Sequence, residues 1–282
     1  MNLGVTYMLN EIVHIAVPTA FFKDETLHVQ ATIDHINDLY KEGVKSVLVS
    51  GTTGEQHSLN LKEKMDILNE LVLEEELVNN MEIIFGVSSI RQQEAEELAK
   101  NLRHTKISGI LLAYPPYVQP TQEEALVYTK KLISLSNKPT ILYNNPKRTG
   151  FDLSVKSIIQ LSNLDLVVGL KEAGNIEKVG LLKKEIKRSD FHFYAGGELG
   201  LEEKVGVGFD RLSSIAGNIS PMEISQWFNK LRTNKNITRQ EEIKVDTILQ
   251  QVYKGNPIVN LKKSINQKGI LMGICRSPIG NI

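Results

Sequence analysis

Short apolar runs alternate with longer amphipathic stretches along most of the chain. The runs cover residues 12–17, 46–49, 83–87, 109–113, 140–143, 166–170, 191–195 and 212–216. Nearly every position in them is apolar, which is typical of strands buried on both faces, and the eighth run is the most polar. The pattern therefore predicts eight strands, most of them in a parallel sheet.

Between these runs, apolar residues recur at helical spacing. The predicted helices span residues 27–42, 61–78, 92–102, 122–135, 153–161, 176–186 and 198–205. Asn60 with Glu63, and Thr121 with Glu124, carry the capping-box pattern that begins a helix. This alternation predicts an α/β protein whose residues 1–220 form a (β/α)8 TIM barrel. A doubly wound sheet is the alternative, but no glycine-rich phosphate motif follows the first strand.

The segment after the eighth strand has a purely helical pattern. It predicts helices over residues 222–231, 239–253 and 258–272, with turns at 233–236 and 255–257. We expect residues 221–282 to form a C-terminal helical extension that packs on the barrel rather than an independent domain.

Composition and charge narrow the possible functions. Lys plus Arg and Asp plus Glu number 33 each, so zero net charge gives no reason to expect nucleic acid or an anionic membrane as partner. The single cysteine, Cys275, excludes an intrachain disulfide and a cysteine-based metal cage, and the six histidines lack the paired spacing of a metal site. With no secretory signal over residues 1–10 and no membrane-length apolar run, we expect a soluble, cytoplasmic protein without a metal.

Polar and reactive side chains follow several of the predicted strands. Alone, Lys171 at the end of the sixth strand is more often a strand-end residue with a solvated head group. In a TIM barrel, however, the loops after the carboxyl ends of the strands meet at one face. That face receives Gly51-Thr52-Thr53-Gly54-Glu55, Tyr117, Tyr143, Arg148, Lys171 and Gly196.

These side chains form a coherent chemical set. The neutral amine of Lys171 is a nucleophile toward a carbonyl carbon, and Tyr143, polarised by the Thr53 hydroxyl, can carry the protons. The planar guanidinium of Arg148 can donate two parallel hydrogen bonds to a carboxylate. The turn at Thr52 and Thr53 can hold a second carboxylate through backbone amides and hydroxyls. Together they predict an α-keto acid bound as an iminium, whose neighbouring carbon attacks an aldehyde or is released in the reverse cleavage. This chemistry requires no dissociable cofactor.

Three segments, 51–55, 143–150 and 169–173, resemble the signatures of the dihydrodipicolinate synthase / N-acetylneuraminate lyase family in matching order and spacing. The resemblance implies a class I, pyruvate-dependent aldolase on a (β/α)8 barrel. It implies that Lys171 forms the Schiff base, that Tyr143 carries protons and that Thr53 is its hydroxyl partner. It also implies a homotetramer, built as a dimer of dimers, in which Tyr117 reaches a neighbouring subunit's site.

The resemblance also points to substrates. Arg148 matches the arginine with which the synthases bind aspartate semialdehyde, which implies condensation of pyruvate with L-aspartate-4-semialdehyde to 4-hydroxy-tetrahydrodipicolinate, the entry to lysine and diaminopimelate synthesis. Ser213 stands where an isoleucine usually lines the keto-acid pocket. An aldolase that cleaves a sugar-derived 2-keto acid is therefore the alternative, and a non-catalytic small-molecule-binding paralogue is the third hypothesis. Ile90 and Pro116 replace residues of the lysine-feedback pocket, which predicts weak or absent inhibition by lysine.

Overall fold

A computed structural model describes residues 8–280 and contains a closed barrel of eight parallel strands, with helices between consecutive strands. This confirms the predicted (β/α)8 fold. The strands are β1 (Val13–Ala16), β2 (Ser46–Val49), β3 (Glu82–Val87), β4 (Gly109–Ala113), β5 (Thr140–Asn144), β6 (Val167–Glu172), β7 (His192–Gly196) and β8 (Arg211–Ser214).

Twelve α-helices surround and extend the barrel within the described residues. They are α1 (Val29–Lys41), α2 (Leu61–Leu73), α3 (Glu75–Asn80), α4 (Gln92–Leu102), α5 (Gln122–Ser136), α6 (Pro146–Thr149), α7 (Val155–Ser162), α8 (Glu177–Glu185), α9 (Leu201–Val207), α10 (Pro221–Arg232), α11 (Arg239–Tyr253) and α12 (Pro257–Gln267). None of these helices combines the length and apolarity that a bilayer span requires.

Buried apolar side chains form two clusters. The larger lies between the strands and the helices, which explains why nearly every strand position is apolar. The smaller fills the barrel interior, with Leu48, Ile84, Leu111 and Ile141 among its members. Leu9 belongs to this inner cluster, and the backbone amide of Glu11 donates to the Glu82 carboxylate, so the chain before β1 closes the amino-terminal end of the barrel.

Several predicted helix bounds needed correction. The predicted helix 61–78 is two helices, because the backbone of Glu74 has ψ 74° and leaves the helical region. The predicted helix 258–272 ends at Gln267, because Gly269 adopts a φ of +94° that a continuing helix does not allow. The one-turn helix α6 lies in the loop that the sequence pattern left without structure. Both predicted capping boxes are present, at Asn60 and Thr121.

The C-terminal helices contact the carboxyl-terminal end of the barrel through a short 3-10 turn, Ala216–Asn218, that follows β8. Helices α10, α11 and α12 all pack against this turn, and α10 also packs against α9. The segment after α12 returns to the loop that follows β1, since Phe21 pairs with Gly273. The boundary after residue 220 stays a prediction.

Candidate active site

A cavity of about 510 Å³ opens at the carboxyl-terminal end of the barrel. Residues from five strands or the loops after them (β2, β5, β6, β7 and β8) and two segments of the C-terminal region meet there. The cavity is lined by Thr52, Thr53, His57, Tyr143, Asn145, Arg148, Lys171, Ala173, Gly196, Gly197, Ser213, Ile215, Gly255, Asn256, Pro257, Ile258 and Ile279.

Lys171 lies on β6 directly beside Tyr143 of β5 in the strand register. The pairing of the two strands shifts between Thr140 and Ile141, and beyond this irregularity Lys171 points into the cavity. The next residue, Glu172, points away from it and accepts hydrogen bonds from the Asn144 amide. Strand alternation thus separates the amine from the adjacent carboxylate.

The Lys171 amine is buried among polar and aromatic groups. Its Nζ donates to Ser213 Oγ at 2.7 Å and lies 4.8 Å from the centre of the Tyr143 ring. Burial lowers the pKa of Lys171 below its ordinary value, and this effect prevails although Tyr143 and Glu198 act in the opposite direction. A lowered pKa increases the fraction of neutral amine, which is the nucleophilic form.

The Tyr143 hydroxyl has two polar neighbours in the same chain. The Asn145 amide donates to it at 2.7 Å, and Thr52 Oγ1 lies 3.4 Å away. Burial acts to raise the pKa of Tyr143, but the charge of Lys171 and these hydrogen bonds outweigh it, so the pKa lies below its ordinary value. A phenol with a lowered pKa beside an amine is suited to proton transfer.

The hydroxyl nearest to Tyr143 belongs to Thr52, whereas the sequence predicts Thr53 as its partner. Thr53 lines the cavity but makes no hydrogen bond to the Tyr143 hydroxyl in the described chain, whereas Thr52 does. The turn after β2 determines which hydroxyl faces the strand, because Ser50 and Glu55 both adopt positive φ angles. Gly86 of β3 permits this turn, since a Cβ there would lie 2.1 Å from the Ser50 carbonyl oxygen.

Gly196 lies on β7, which neighbours β6, and Ser213 lies on β8, the next strand of the barrel. A Cβ at Gly196 would lie 3.3 Å from Lys171 Cε, so a glycine leaves room beside the amine. The segment after β8 is held by the buried carboxylate of Glu198, which accepts from the Ser214 hydroxyl and from two backbone amides. Tyr253 of α11 also donates to this carboxylate at 2.5 Å, so the C-terminal helices support this side of the cavity.

Arg148 lies at the rim of the cavity, on α6. Its side chain is exposed, and its guanidinium forms no ion pair with another residue of the described chain, so it is available to a carboxylate ligand. Tyr117 does not reach the cavity of its own chain. It is 90% exposed and has a φ of +74°, and its backbone amide donates to the Thr149 carbonyl next to Arg148.

Three features of the site were not foreseen. Asn145 follows Tyr143 by two positions. Because side chains alternate between the two faces of a strand, this spacing predicts that both side chains point to the same face. His57 lies in no motif that indicates a role, yet it lines the cavity, and burial lowers its pKa. Residues 255–258 and Ile279 come from the C-terminal region, and no local sequence signal indicates that they reach the site.

Within residues 8–280, no group of three or more His, Cys, Asp or Glu side chains is arranged to hold a metal ion.

Comparisons with known proteins agree over nearly the whole chain. The Dihydrodipicolinate synthetase family matches residues 10–282. A 4-hydroxy-tetrahydrodipicolinate synthase of Methanococcoides burtonii is 28% identical over 269 residues, which cover 95% of this chain and 91% of the relative. One of Rickettsia felis is 30% identical over 262 residues, which cover 92% and 86%.

Solved structures share the fold. A crystal structure of a dihydrodipicolinate synthase has a TM-score of 0.83 at 25% identity and covers 96% of this chain and 93% of its own. A Sulfolobus 2-keto-3-deoxygluconate aldolase, solved with D-KDPG, has a TM-score of 0.79 at 22% identity, covering 94% and 89%. The same barrel therefore occurs in proteins whose names indicate different substrates.

Proposed function

Because this chain belongs to the dihydrodipicolinate synthetase family and is a lyase of the class I aldolase type, we propose that it condenses pyruvate with L-aspartate-4-semialdehyde. The product is 4-hydroxy-tetrahydrodipicolinate, which enters lysine and diaminopimelate synthesis. The observation that carries this proposal is the buried Lys171 amine, 4.8 Å from the centre of the Tyr143 ring, in a cavity whose rim carries Arg148, which forms no ion pair among residues 8–280.

The first half of the reaction uses Lys171. Its neutral amine attacks the pyruvate carbonyl carbon, and loss of water gives an iminium at Nζ. Tyr143 supplies the proton that leaves with the water, and the hydroxyl of Thr52 is the next group along the hydrogen-bond path. The catalytic group is this covalent lysine–pyruvate adduct, so the proposed mechanism uses no dissociable cofactor.

The second half forms the new carbon–carbon bond. The iminium withdraws electrons, so the pyruvate methyl loses a proton and becomes an enamine carbon that attacks the aldehyde carbon. The aldehyde π electrons pass to its oxygen, which takes up a proton. The amine of the semialdehyde then attacks the iminium carbon, which closes the ring and releases the Lys171 amine. Arg148 binds the carboxylate of the semialdehyde through its two-pronged guanidinium, and the turn at Thr52 and Thr53 receives the carboxylate of pyruvate. Gly196 and Ser213 complete the wall beside the adduct.

The assembly is part of the proposal. Tyr117 is exposed and lies beside the Arg148 loop, where a second copy of the chain can contact it. We propose a homotetramer, a dimer of dimers, in which Tyr117 joins the proton path of a neighbouring site.

A related aldolase that cleaves a sugar-derived 2-keto acid is the second candidate. Its specific support is the Ser213 hydroxyl, which is buried beside the reacting amine and adds a hydrogen-bonding group to the keto-acid pocket. Arg148 favours the first candidate, because a sugar aldehyde without a carboxylate leaves its guanidinium unpaired.

The test begins with incubation with pyruvate, reduction with borohydride and peptide mapping. We expect the added mass on Lys171 and none on Lys64. Lys64 is the matched internal control, since burial lowers its pKa to about 8 but its amine donates to the Ser88 carbonyl, away from the cavity. Lys171→Arg should keep the fold and lose the adduct, because the charge stays and the nucleophile is lost.

An unlabelled Lys171 would refute both candidates. If the adduct forms, the protein is then assayed with aspartate semialdehyde and with sugar-derived aldehydes. Turnover with the semialdehyde supports the synthase, and turnover with a sugar aldehyde alone selects the second candidate.

A further inference from the structure

Asn145 occupies a helix N-cap position, but its side chain does not cap the helix. It precedes α6 as its N-cap residue, where asparagine usually accepts a hydrogen bond from the first turn of the helix. Here the side chain makes no capping bond. It is 8% exposed and turns instead into the cavity, where its amide donates to the Tyr143 hydroxyl at 2.7 Å.

This contact is the shorter of the two that the Tyr143 oxygen makes, since Thr52 Oγ1 lies 3.4 Å away. An amide N–H donated to the phenol oxygen leaves the phenolic proton free to point toward Thr52 or toward a group on Lys171. We propose that Asn145 is a positioning residue that fixes the Tyr143 oxygen in this orientation and supplies a hydrogen bond to it when the oxygen carries negative charge. The proposal rests on the proposed function.

The step concerned is formation of the enamine. A proton leaves the methyl carbon of the iminium for the Tyr143 phenolate oxygen. The electrons of the broken C–H bond form the carbon–carbon double bond, and the π electrons of the iminium return to Nζ. Tyr143 is then neutral, and it regains its negative charge when it gives the proton to solvent or to the next intermediate. A donor that remains on the oxygen stabilises the phenolate relative to the phenol.

The charged or titratable side chains that line the cavity with Tyr143 are Lys171 of β6, Arg148 of α6 and His57 of the loop after β2, and the charges of Lys171 and Arg148 act on Tyr143. None of them is altered in the test. Asn145→Val removes the amide donor, and Asn145→Asp keeps the shape of the side chain but replaces the donor with an acceptor. Thr238→Val is the control, because it removes an N-cap hydrogen bond of α11 and lines no part of the cavity.

Two measurements follow Tyr143 separately. Exchange of the pyruvate methyl hydrogens in D₂O, followed by NMR, reports enamine formation and needs no aldehyde. Ultraviolet titration of the phenolate, taken as the difference from the same protein carrying Tyr143→Phe, reports the ionisation of Tyr143 without pyruvate. Thermal unfolding of every variant checks that it is folded.

We expect Asn145→Val to move the phenolate titration to higher pH, because the phenolate loses a hydrogen bond. Exchange measured below the pKa of Tyr143 should then slow about 10-fold, because fewer sites carry the phenolate that takes the methyl proton. Asn145→Asp should be slower still, because a carboxylate accepts the phenolic proton and repels the phenolate. Both variants should keep the Lys171 adduct, and Thr238→Val should lose stability with unchanged exchange.

Two results would overturn the proposal. The first is an Asn145→Val protein whose exchange rate and phenolate titration equal those of the wild type. The second is an exchange rate that falls strongly in Asn145→Val and only slightly in Asn145→Asp, because that order indicates that the side chain only fills space. Failure of the proposed function is distinct: the wild-type protein then forms no adduct at Lys171, while the phenolate titration still tests whether Asn145 acts on Tyr143.

Discussion

A buried ion pair connects the C-terminal region to the active-site turn, and its removal should destabilise the protein. Lys262 of α12 lies 2.6 Å from Glu55, the last residue of the Gly-Thr-Thr-Gly-Glu turn, with side chains 2% and 0% exposed. The Lys262 amine also donates to the Ile274 carbonyl and lies 4.4 Å from the centre of the Phe21 ring. The other Glu55 oxygen accepts from the Arg276 backbone amide.

Lys262→Met keeps the length and apolar part of the side chain and removes the charge. It leaves the Glu55 carboxylate buried without its cation and the Ile274 carbonyl without its donor. Breaking a buried pair from one side costs about 3–5 kcal/mol in the free energy of unfolding. An unfolding entropy of roughly 2.1 cal/mol/K per residue gives about 0.6 kcal/mol/K for 282 residues, so the Tm should fall by about 5–8 °C.

The assay is thermal and urea unfolding of Lys262→Met, Glu55→Gln and the double variant. The neighbouring Lys263 is exposed, so Lys263→Met is the matched control and should change stability by no more than about 0.5 kcal/mol. The double variant should lose at least about 1 kcal/mol less than the sum of the single losses. A Lys262→Met protein as stable as the control, or additive losses in the cycle, would refute the reasoning.

Four further outcomes are expected. Ser213→Ala should keep the pyruvate adduct but move the onset of trapping to lower pH, because the Lys171 ammonium loses an acceptor; an onset at higher pH would contradict this. Tyr117→Phe should slow turnover while the adduct still forms, and an unchanged rate would remove Tyr117 from the proton path. Burial lowers the pKa of His35 from 6.5 to about 4. Between about pH 6.5 and about pH 4 the unfolded chain therefore binds a proton at His35 that the native protein does not. The free energy of unfolding should fall by up to about 3 kcal/mol as the pH falls through this range. His35→Gln should flatten this loss in urea unfolding compared between about pH 7 and about pH 4.5, and an equally steep loss would exclude His35 as its source. Finally, L-lysine should inhibit weakly or not at all, and half-maximal inhibition at submillimolar concentration would show that a feedback site is present.

Local pattern was sufficient for the fold because the barrel is built from repeated local units. Each strand is buried on both faces, so its apolar run is visible in the sequence, and each helix has one apolar face. Helix ends were predictable where a side chain makes the cap, as at Asn60 and Thr121. The break at Glu74 was not predictable, because the apolar spacing continues across it and only the backbone turns.

For the site, the sequence determined which residue types reach the carboxyl-terminal end of the barrel, and Lys171, Tyr143 and Arg148 do line one cavity. It did not determine which atoms meet. The positive φ angles at both ends of the turn after β2 place Thr52 rather than Thr53 beside Tyr143.

The tertiary structure alone also decided how remote segments complete the site. Residues 255–258 and Ile279 line the cavity from the C-terminal region, and Glu55 meets Lys262 across 207 positions of sequence. Such contacts depend on distances between elements rather than on the pattern within any one of them. Residue identity thus specified the chemistry available to this protein, and the packing of the barrel with its C-terminal helices specified which groups are close enough to carry it out.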